Sequence, residues 1–346
     1  MTSAARIAIL GAGNIGKIHA AHAAREAQLC AFVDPAPQGA EVARAYNVPH
    51  YPTLSDLFAA GRPDGVVVAT PNQLHVAHGL ECVAAGVAAL IEKPLADDVA
   101  QGVLLVQAAQ QADVPLLVGH HRRYNPMIAS AKAAIESGRL GRIVALNAMC
   151  WLYKPDAYFD VKWRTQPGAG PVLINLIHDI DLMRHLCGEI STVQAISANH
   201  ARGHAVEDTA VVLLGFANGA LGTMSVSDSI AAPWSWELTA GENAAYPRSG
   251  AACYTIGGTS GALSLPDLGL WSYSDAPSWM TPIAREAMMN GQGDPLAIQM
   301  RHFADVSLRR AAPLVSGDEG LATLRVLMAI KRAAQTGQPV TLSSQA

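Results

Sequence analysis

The sequence predicts an α/β protein in two parts: a doubly wound parallel sheet, then an α+β region built on an antiparallel sheet. Three observations carry this. Short apolar runs alternate with helical patterns through the first third of the chain. From about residue 193 to 273, strand-like runs follow one another between Gly- and Asn-containing turns such as Asn218-Gly219 and Gly257-Gly258. The chain has 346 residues, half of them hydrophobic and only 15% charged, which is long for one core and suits two domains.

The first strand is read at residues 6–10, an apolar run that leads straight into Gly11-Ala-Gly13-Asn14-Ile15-Gly16 and a helix over 17–25. This is G-x-G-x-x-G in strand–turn–helix context. Gly11 permits the tight turn, Gly13 lets the backbone approach a pyrophosphate, and Gly16 lets helix and strand pack closely. A second apolar run, 29–33, ends at Asp34. An acid there would bind the adenosine ribose hydroxyls and repel a 2′-phosphate, which favours NAD while still admitting NADP. An ordinary Gly-rich turn, a flavin site and a methyltransferase are the alternatives for the glycines alone.

The alternation then continues. Helices are read at 41–46, 54–60, 73–85 and 99–111, and strands at 65–69, 88–91 and 115–118. The strand at 88–91 is followed by Glu92-Lys93-Pro94. Ligands of open α/β sheets bind outside the carboxyl ends of the strands, so Lys93 is placed to face a cofactor. Partial burial lowers an ammonium pKa and makes it a usable proton donor and acceptor. The bland alternative is a lysine capping a strand-to-helix loop.

Four segments now stand in one order: Gly11 to Gly16, then Thr70-Pro71-Asn72-Gln-Leu-His75, then Glu92-Lys93-Pro94, then Gly119-His-His-Arg122-Arg123-Tyr124-Asn-Pro126. Together they resemble the glucose–fructose oxidoreductase, inositol dehydrogenase and rhizopine-catabolism (Gfo/Idh/MocA) family, over nearly the whole chain. The resemblance implies a Rossmann domain at residues 1–120. An α+β substrate-binding and oligomerisation domain follows at 121–346, on a large open antiparallel sheet, with the chain forming a homodimer or homotetramer. It implies that Asn14, Ile15, Thr70, Pro71, Asn72 and His75 join the glycines and Asp34 along the cofactor. Glu92 would lie near the nicotinamide ribose, and Lys93 beside the nicotinamide and the substrate hydroxyl as the leading catalytic residue.

In the second part, helices are read at 128–137 and 172–187, with a strand at 143–151 between them. The loop after that strand carries Tyr153, Lys154, Asp156, Tyr158, Phe159, Lys162, Trp163 and Arg164. Aromatics mixed with cations suit a small polar or anionic ligand, and equally a surface loop with aromatic anchors. In the 172–187 helix, Leu173, Leu176, Ile177, Ile180 and Met183 form a core stripe. Asn175, His178, Asp181 and His185 lie on another flank. The family pattern is an Asp, a His four residues on and an Asp three later. His178 and Asp181 match, but the position of the first acid holds Ile174. That implies proton transfer by Lys93 and His178, with Arg122, Tyr153, Trp163, Arg164, Asn175 and Lys93 touching substrate. A satisfied core histidine, or a metal ligand with Asp181 and His185, are the other readings of His178. No metal is expected, since the dinucleotide would supply the redox chemistry. Strands follow at 193–197, 209–216, 220–227, 234–239, 253–256, 261–265 and 269–273, then helices at 294–309 and 317–334.

A formal net charge of −4 and the lack of any long Lys/Arg run argue against a nucleic-acid or anionic-membrane partner. No apolar stretch reaches membrane-spanning length. The first residues run into a strand without a signal-peptide layout, and five scattered cysteines form no C-x-x-C pair. Both suit a cytoplasmic, reduced protein. The expected activity is an NAD(P)-dependent dehydrogenase or reductase exchanging hydride with a small polyol, sugar, sugar acid or lactone. The alternatives are NAD-dependent elimination or glycoside cleavage on the same fold, and a non-catalytic NAD-binding regulator.

Overall fold

The computed structural model describes residues 4–342, so the expectation about the first three residues lies outside the described part. The chain divides into two compact units. One is the segment up to Tyr124 together with Gly293–Leu324, and the other is Asn125–Gln292 with the segment from Arg325 on. A single cut near residue 120 therefore misses one return of the chain. The cause is the helix Pro295–Ser307, whose Met300 and Phe303 are fully buried in the core of the first unit. Phe303 packs against the strand Gly65–Val68, where a Cβ on Gly65 would come within 2.7 Å of its ring.

The first unit is a six-stranded parallel sheet. Its strands are β1 (Arg6–Leu10), β2 (Gln28–Val33), β3 (His50–Tyr51), β4 (Gly65–Val68), β5 (Ala88–Ile91) and β6 (Leu116–Val118), in the order β3-β2-β1-β4-β5-β6. Every residue of β4 and β5 is buried, as continuous apolar runs covered by helices on both faces require. The strand order reverses between β1 and β4. There the carboxyl ends splay apart and a ligand crevice opens. Caps set the helix starts: Thr53 accepts from the Asp56 amide, and Asp98 from the Gln101 amide.

The second unit holds a nine-stranded sheet. Its strands are β7 (Ile143–Trp151), β8 (Ile190–Ala198), β9 (Thr209–Phe216), β10 (Leu221–Ser227), β11 (Tyr254–Gly258), β12 (Gly261–Leu265), β13 (Gly269–Ser272), β14 (Ala284–Ala287) and β15 (Val340–Thr341). They lie in the order β14-β13-β12-β11-β7-β10-β9-β8-β15. The sheet is mostly antiparallel, as expected, but β7 and β10 pair in parallel. The chain leaves β7, returns through the helix Ile177–Cys187 and starts β8 in the same sense. The β8–β9–β10 meander then delivers β10 parallel to β7.

Two sequence readings are corrected here. The expected strand at 234–239 is a short helix, Trp236–Thr239, because Ser235 caps it by accepting from the Leu238 amide. Gly257 and Gly258 are no turn but the end of β11, at a register shift. There a Cβ on Gly258 would strike the Leu140 carbonyl at 2.1 Å.

Helices cover one face of this sheet, and the other is open. Along β9, Val212, Leu214 and Phe216 are buried while Val211 and Leu213 face outward. Val144, Ile196 and Leu221 are exposed in the same way on β7, β8 and β10. No helix among the described residues is long and apolar enough to cross a membrane.

Candidate active site

The carboxyl ends of β1, β2, β4 and β5 carry the first group of site residues. Gly11 follows β1 at φ +100, and a Cβ there would meet the Ala69 carbonyl at 2.5 Å. Gly16 sits even tighter, since its Cβ would lie 1.9 Å from the Gly11 carbonyl. Gly13 differs, because a Cβ there would project into open space. It is the N-cap of the helix Asn14–Glu26 and makes no side-chain cap, so amides of the first helical turn are left for a ligand. Asn14 is exposed and Ile15 half-buried beside it.

Asp34 ends β2. Its carboxylate accepts from the Ala12 amide (2.7 Å) and the Ala36 amide (2.8 Å), which ties the glycine turn to the strand beside it. Asp34 is 9% exposed, so it is almost wholly buried at the carboxyl end of β2. A cradle without Cβ atoms, open amides and a carboxylate at the next strand end fit the pyrophosphate and ribose of a dinucleotide.

After β4, Pro71 and Asn72 are exposed and Thr70 half-buried. His75 is fully buried rather than facing the crevice. Its Nδ1 lies 2.7 Å from the Pro94 carbonyl and its Nε2 2.9 Å from the Thr70 carbonyl. One ring thus joins the Thr70 turn to the loop after β5. That loop contains a cis Lys93–Pro94 peptide.

Glu92 is 7% exposed, accepts from His19 Nε2 at 2.7 Å and from the Lys93 amide at 3.2 Å. Burial alone would raise the Glu92 carboxyl. The hydrogen bond and charge of His19, with Lys93 and His121, outweigh it and hold the group down to about 2. Lys93 is half-buried next to this fixed anion. Arg122 is 4% exposed, in the 3-10 turn His121–Tyr124.

In the second unit the 172–187 helix begins as a π turn, Val172–Leu176, and becomes α-helical at Ile177–Cys187. Such turns recur at functional sites. His178 is 8% exposed, Asp181 1% and Asn175 half-buried. Lys154, three residues beyond Trp151, is 7% exposed and donates to Asn175 Oδ1 at 2.8 Å. Burial pulls the Lys154 ammonium below its ordinary value, opposed by Asp228 Oδ2 at 3.8 Å.

The loop around Lys154 is built on cation–π contacts. Arg164 lies 4.1 Å from the Tyr158 ring centroid, and Lys154 4.9 Å from the same ring. Arg202 lies 4.4 Å from the Phe159 centroid and 5.3 Å from that of Tyr153, and pairs with Asp228 at 2.9 Å. Trp163 is 56% exposed. Tyr153, Arg164 and Asn175 are thus brought around Lys154, with Trp163 at the rim beside Arg164.

Sequence reading gave no role of their own to His19, Lys154, Arg202 and Asp228. His19 had a signal: three residues beyond Gly16, it shares a helix face with the glycine that packs on the sheet. Arg202 and Asp228 come from distant loops, and their pairing with the 153–164 loop leaves no mark in local sequence.

Family models match most of the chain. One described as "Oxidoreductase family, NAD-binding Rossmann fold" covers residues 5–120, and one described as "GFO/IDH/MocA C-terminal domain" covers residues 128–264. Inositol 2-dehydrogenase of Rhizobium meliloti is 30% identical, over 62% of this chain and 66% of the relative. D-apiose dehydrogenase of Rhizobium rhizogenes is 26% identical over 97% of both chains. The crystal structure of the WlbA dehydrogenase from Bordetella pertussis, in complex with NADH and UDP-GlcNAcA, is similar with a TM-score of 0.81. It is 27% identical and the match covers 99% of this chain and 100% of that one.

Proposed function

The chain belongs to the GFO/IDH/MocA family of NAD-binding oxidoreductases, and from that premise we propose that it interconverts a CH–OH group and a carbonyl on a small sugar, polyol, sugar acid or lactone, with NAD as cofactor. The observation that carries the reading is Lys93, half-buried at the carboxyl end of β5 in the same unit as the glycine cradle, its amide held by the buried Glu92 carboxylate. When bound, the nicotinamide supplies the two-electron redox chemistry.

In this reading Lys93 Nζ takes the hydroxyl proton on oxidation and returns it on reduction. Glu92 fixes the Lys93 backbone by accepting from its amide. His178 orients the substrate oxygen, and Asn175 holds a neighbouring group. Asp34 favours NAD over NADP, because its carboxylate is locked in place by two backbone amides and cannot turn away from a 2′-phosphate. The residues after it are Pro35, Ala36 and Pro37, which offer a phosphate no side-chain cation.

The open sheet face supports a homodimer or homotetramer. Its outward apolar residues border a groove of about 320 Å³ that includes Ile196, Val211 and Leu213. No disulfide joins the five cysteines, all of them among the described residues, and this supports a reducing, cytoplasmic setting.

The test is a panel of sugars, polyols, aldonic and uronic acids and lactones, assayed with NAD or NADH by the absorbance of the reduced nicotinamide. Turnover that Lys93→Met abolishes while NADH still binds is the expected result. Product formation without net nicotinamide reduction would replace this reading with elimination or glycoside cleavage. NADH binding without turnover across the panel would replace it with a regulator.

A further inference from the structure

An ammonium group can only donate hydrogen bonds. Lys154 Nζ lies 2.8 Å from the side-chain amide of Asn175, so the atom facing it must be the amide oxygen. This fixes the Asn175 flip by chemistry and leaves Nδ2 as the end that points away from Lys154. Nδ2 makes no hydrogen bond with any described residue, and Asn175 is half-buried. The side chain four residues before His178, Ile174, brings no charge.

The surroundings bring three cations together. Lys154, Arg164 and Arg202 gather around the rings of Tyr158 and Phe159. Asp228 pairs with Lys154 and Arg202, the Asp156 side chain next to Arg202 is 94% exposed, Glu237 also acts on Lys154, and the buried Asp208 accepts from the Arg202 amide. Arg164 spends Nη1 on the Tyr158 carbonyl, while its Nε is buried and has no partner among the described residues. Lys154 and Arg202 thus have carboxylates nearby, whereas Arg164 has no carboxylate partner among the described residues.

We propose that Lys154 is a positioning residue that presents Asn175 Nδ2 as a hydrogen-bond donor, and that the Lys154–Asn175 pair selects a substrate carrying a carboxylate: a sugar acid rather than a neutral sugar or polyol. The inference rests on the proposed oxidoreductase reading and narrows its substrate class. A carboxylate accepts from Nδ2 and gains from the nearby ammonium, whereas a neutral hydroxyl gains only the first. Burial lowers the Lys154 ammonium, so an arriving anion meets a charge that is incompletely compensated.

The test measures binding separately from turnover. NADH-loaded protein is titrated with matched probes, glucuronate against glucose and gluconate against glucitol, by thermal shift and calorimetry. The acid of at least one pair is expected to bind at least about tenfold more tightly than its neutral partner. Asn175→Asp, which keeps a partner for Lys154 but replaces the donor with a carboxylate, is expected to erase that preference. Lys154→Met is expected to shrink it by freeing the amide to rotate. Unchanged NADH affinity reports that each variant has folded.

Neutral partners binding as well as the acids, or a preference unaffected by Asn175→Asp, would overturn the inference and leave the oxidoreductase reading standing. Acid-selective binding lost in Asn175→Asp, but without turnover of any probe, would support the inference and count against the oxidoreductase reading.

Discussion

His19 Nε2 lies 2.7 Å from Glu92 Oε1, with the His19 side chain fully buried and that of Glu92 9% exposed. One residue on the glycine-turn helix is thereby tied to the residue before Lys93, and the glycine turn and the loop that carries Lys93 become parts of one polar link. The pair has a measurable consequence in acid. Folded Glu92 titrates at about 2, and an unfolded glutamate near about 4.3. The stabilisation is therefore fully present above the unfolded value and is lost as pH falls through the folded one. Glu92→Gln is expected to destabilise the chain by about 3 kcal/mol at neutral pH. In urea melts that gap should close across the acid window. A constant gap down to the lowest pH would contradict the pairing.

Gly13 and Gly16 should behave differently on replacement by Ala. Gly13 has ordinary extended dihedrals and open space around its missing Cβ. Gly13→Ala is expected to melt within a degree or two of wild type, yet bind NADH at least about tenfold more weakly. In Gly16→Ala the methyl has no room, since the obstacle is the Gly11 backbone carbonyl. A loss of about 2–4 kcal/mol in stability is expected there. Thermal melts and NADH titrations of the two variants check both.

Lys93→Met should lower kcat by about 10²–10⁴-fold, the usual worth of a positioned proton-transfer group. Dinucleotide affinity should change little. The variant should also lose the pH dependence that the lysine gives kcat. Turnover close to wild type would remove Lys93 from the chemistry.

Arg202→Ala tests how the 153–164 loop is held. Arg202 neutralises buried Asp228, lies against two rings and donates to the Lys154 carbonyl at 2.6 Å. Removing it leaves Asp228 with the more distant Lys154 as its ion-pair partner among the described residues, and about 3 kcal/mol of destabilisation is expected. Hydrogen exchange should rise first in the loop after β7. Exchange unchanged there would show that the loop is held by other contacts.

Much of this was legible in the sequence for physical reasons that differ by region. Parallel strands buried on both faces must be apolar throughout, so β1, β4 and β5 stood out, and Gly11, Gly13 and Gly16 could be placed at the end of one of them. The second sheet was legible as strands but not as pairings. Side-chain alternation says which face is buried and nothing about which neighbour a strand joins, so the parallel β7–β10 pair was invisible. Trp234, Trp236 and Leu238 alternate like a strand, and only the Ser235 cap reveals a helix. β14 was missed because all four of its residues are exposed and carry no apolar signal. His75 was expected along the cofactor, whereas both its ring nitrogens are engaged with loop carbonyls.

The outward face of the second sheet gives a prediction about assembly. Leu213 is 54% exposed on β9. Leu213→Glu should leave the fold within about 0.5 kcal/mol of wild type, while light scattering shifts from a multiple of the chain mass toward the single chain. A wild-type monomer would remove the oligomer.

The most direct test of the central claim is calorimetric titration of NADH and NADPH into protein shown to be free of cofactor, in wild type and in Gly13→Ala. NADH binding near the micromolar range, weaker binding of NADPH, and loss of NADH affinity in Gly13→Ala are expected. No binding of either dinucleotide to the folded wild-type chain would contradict the cradle, and with it the role given to Lys93.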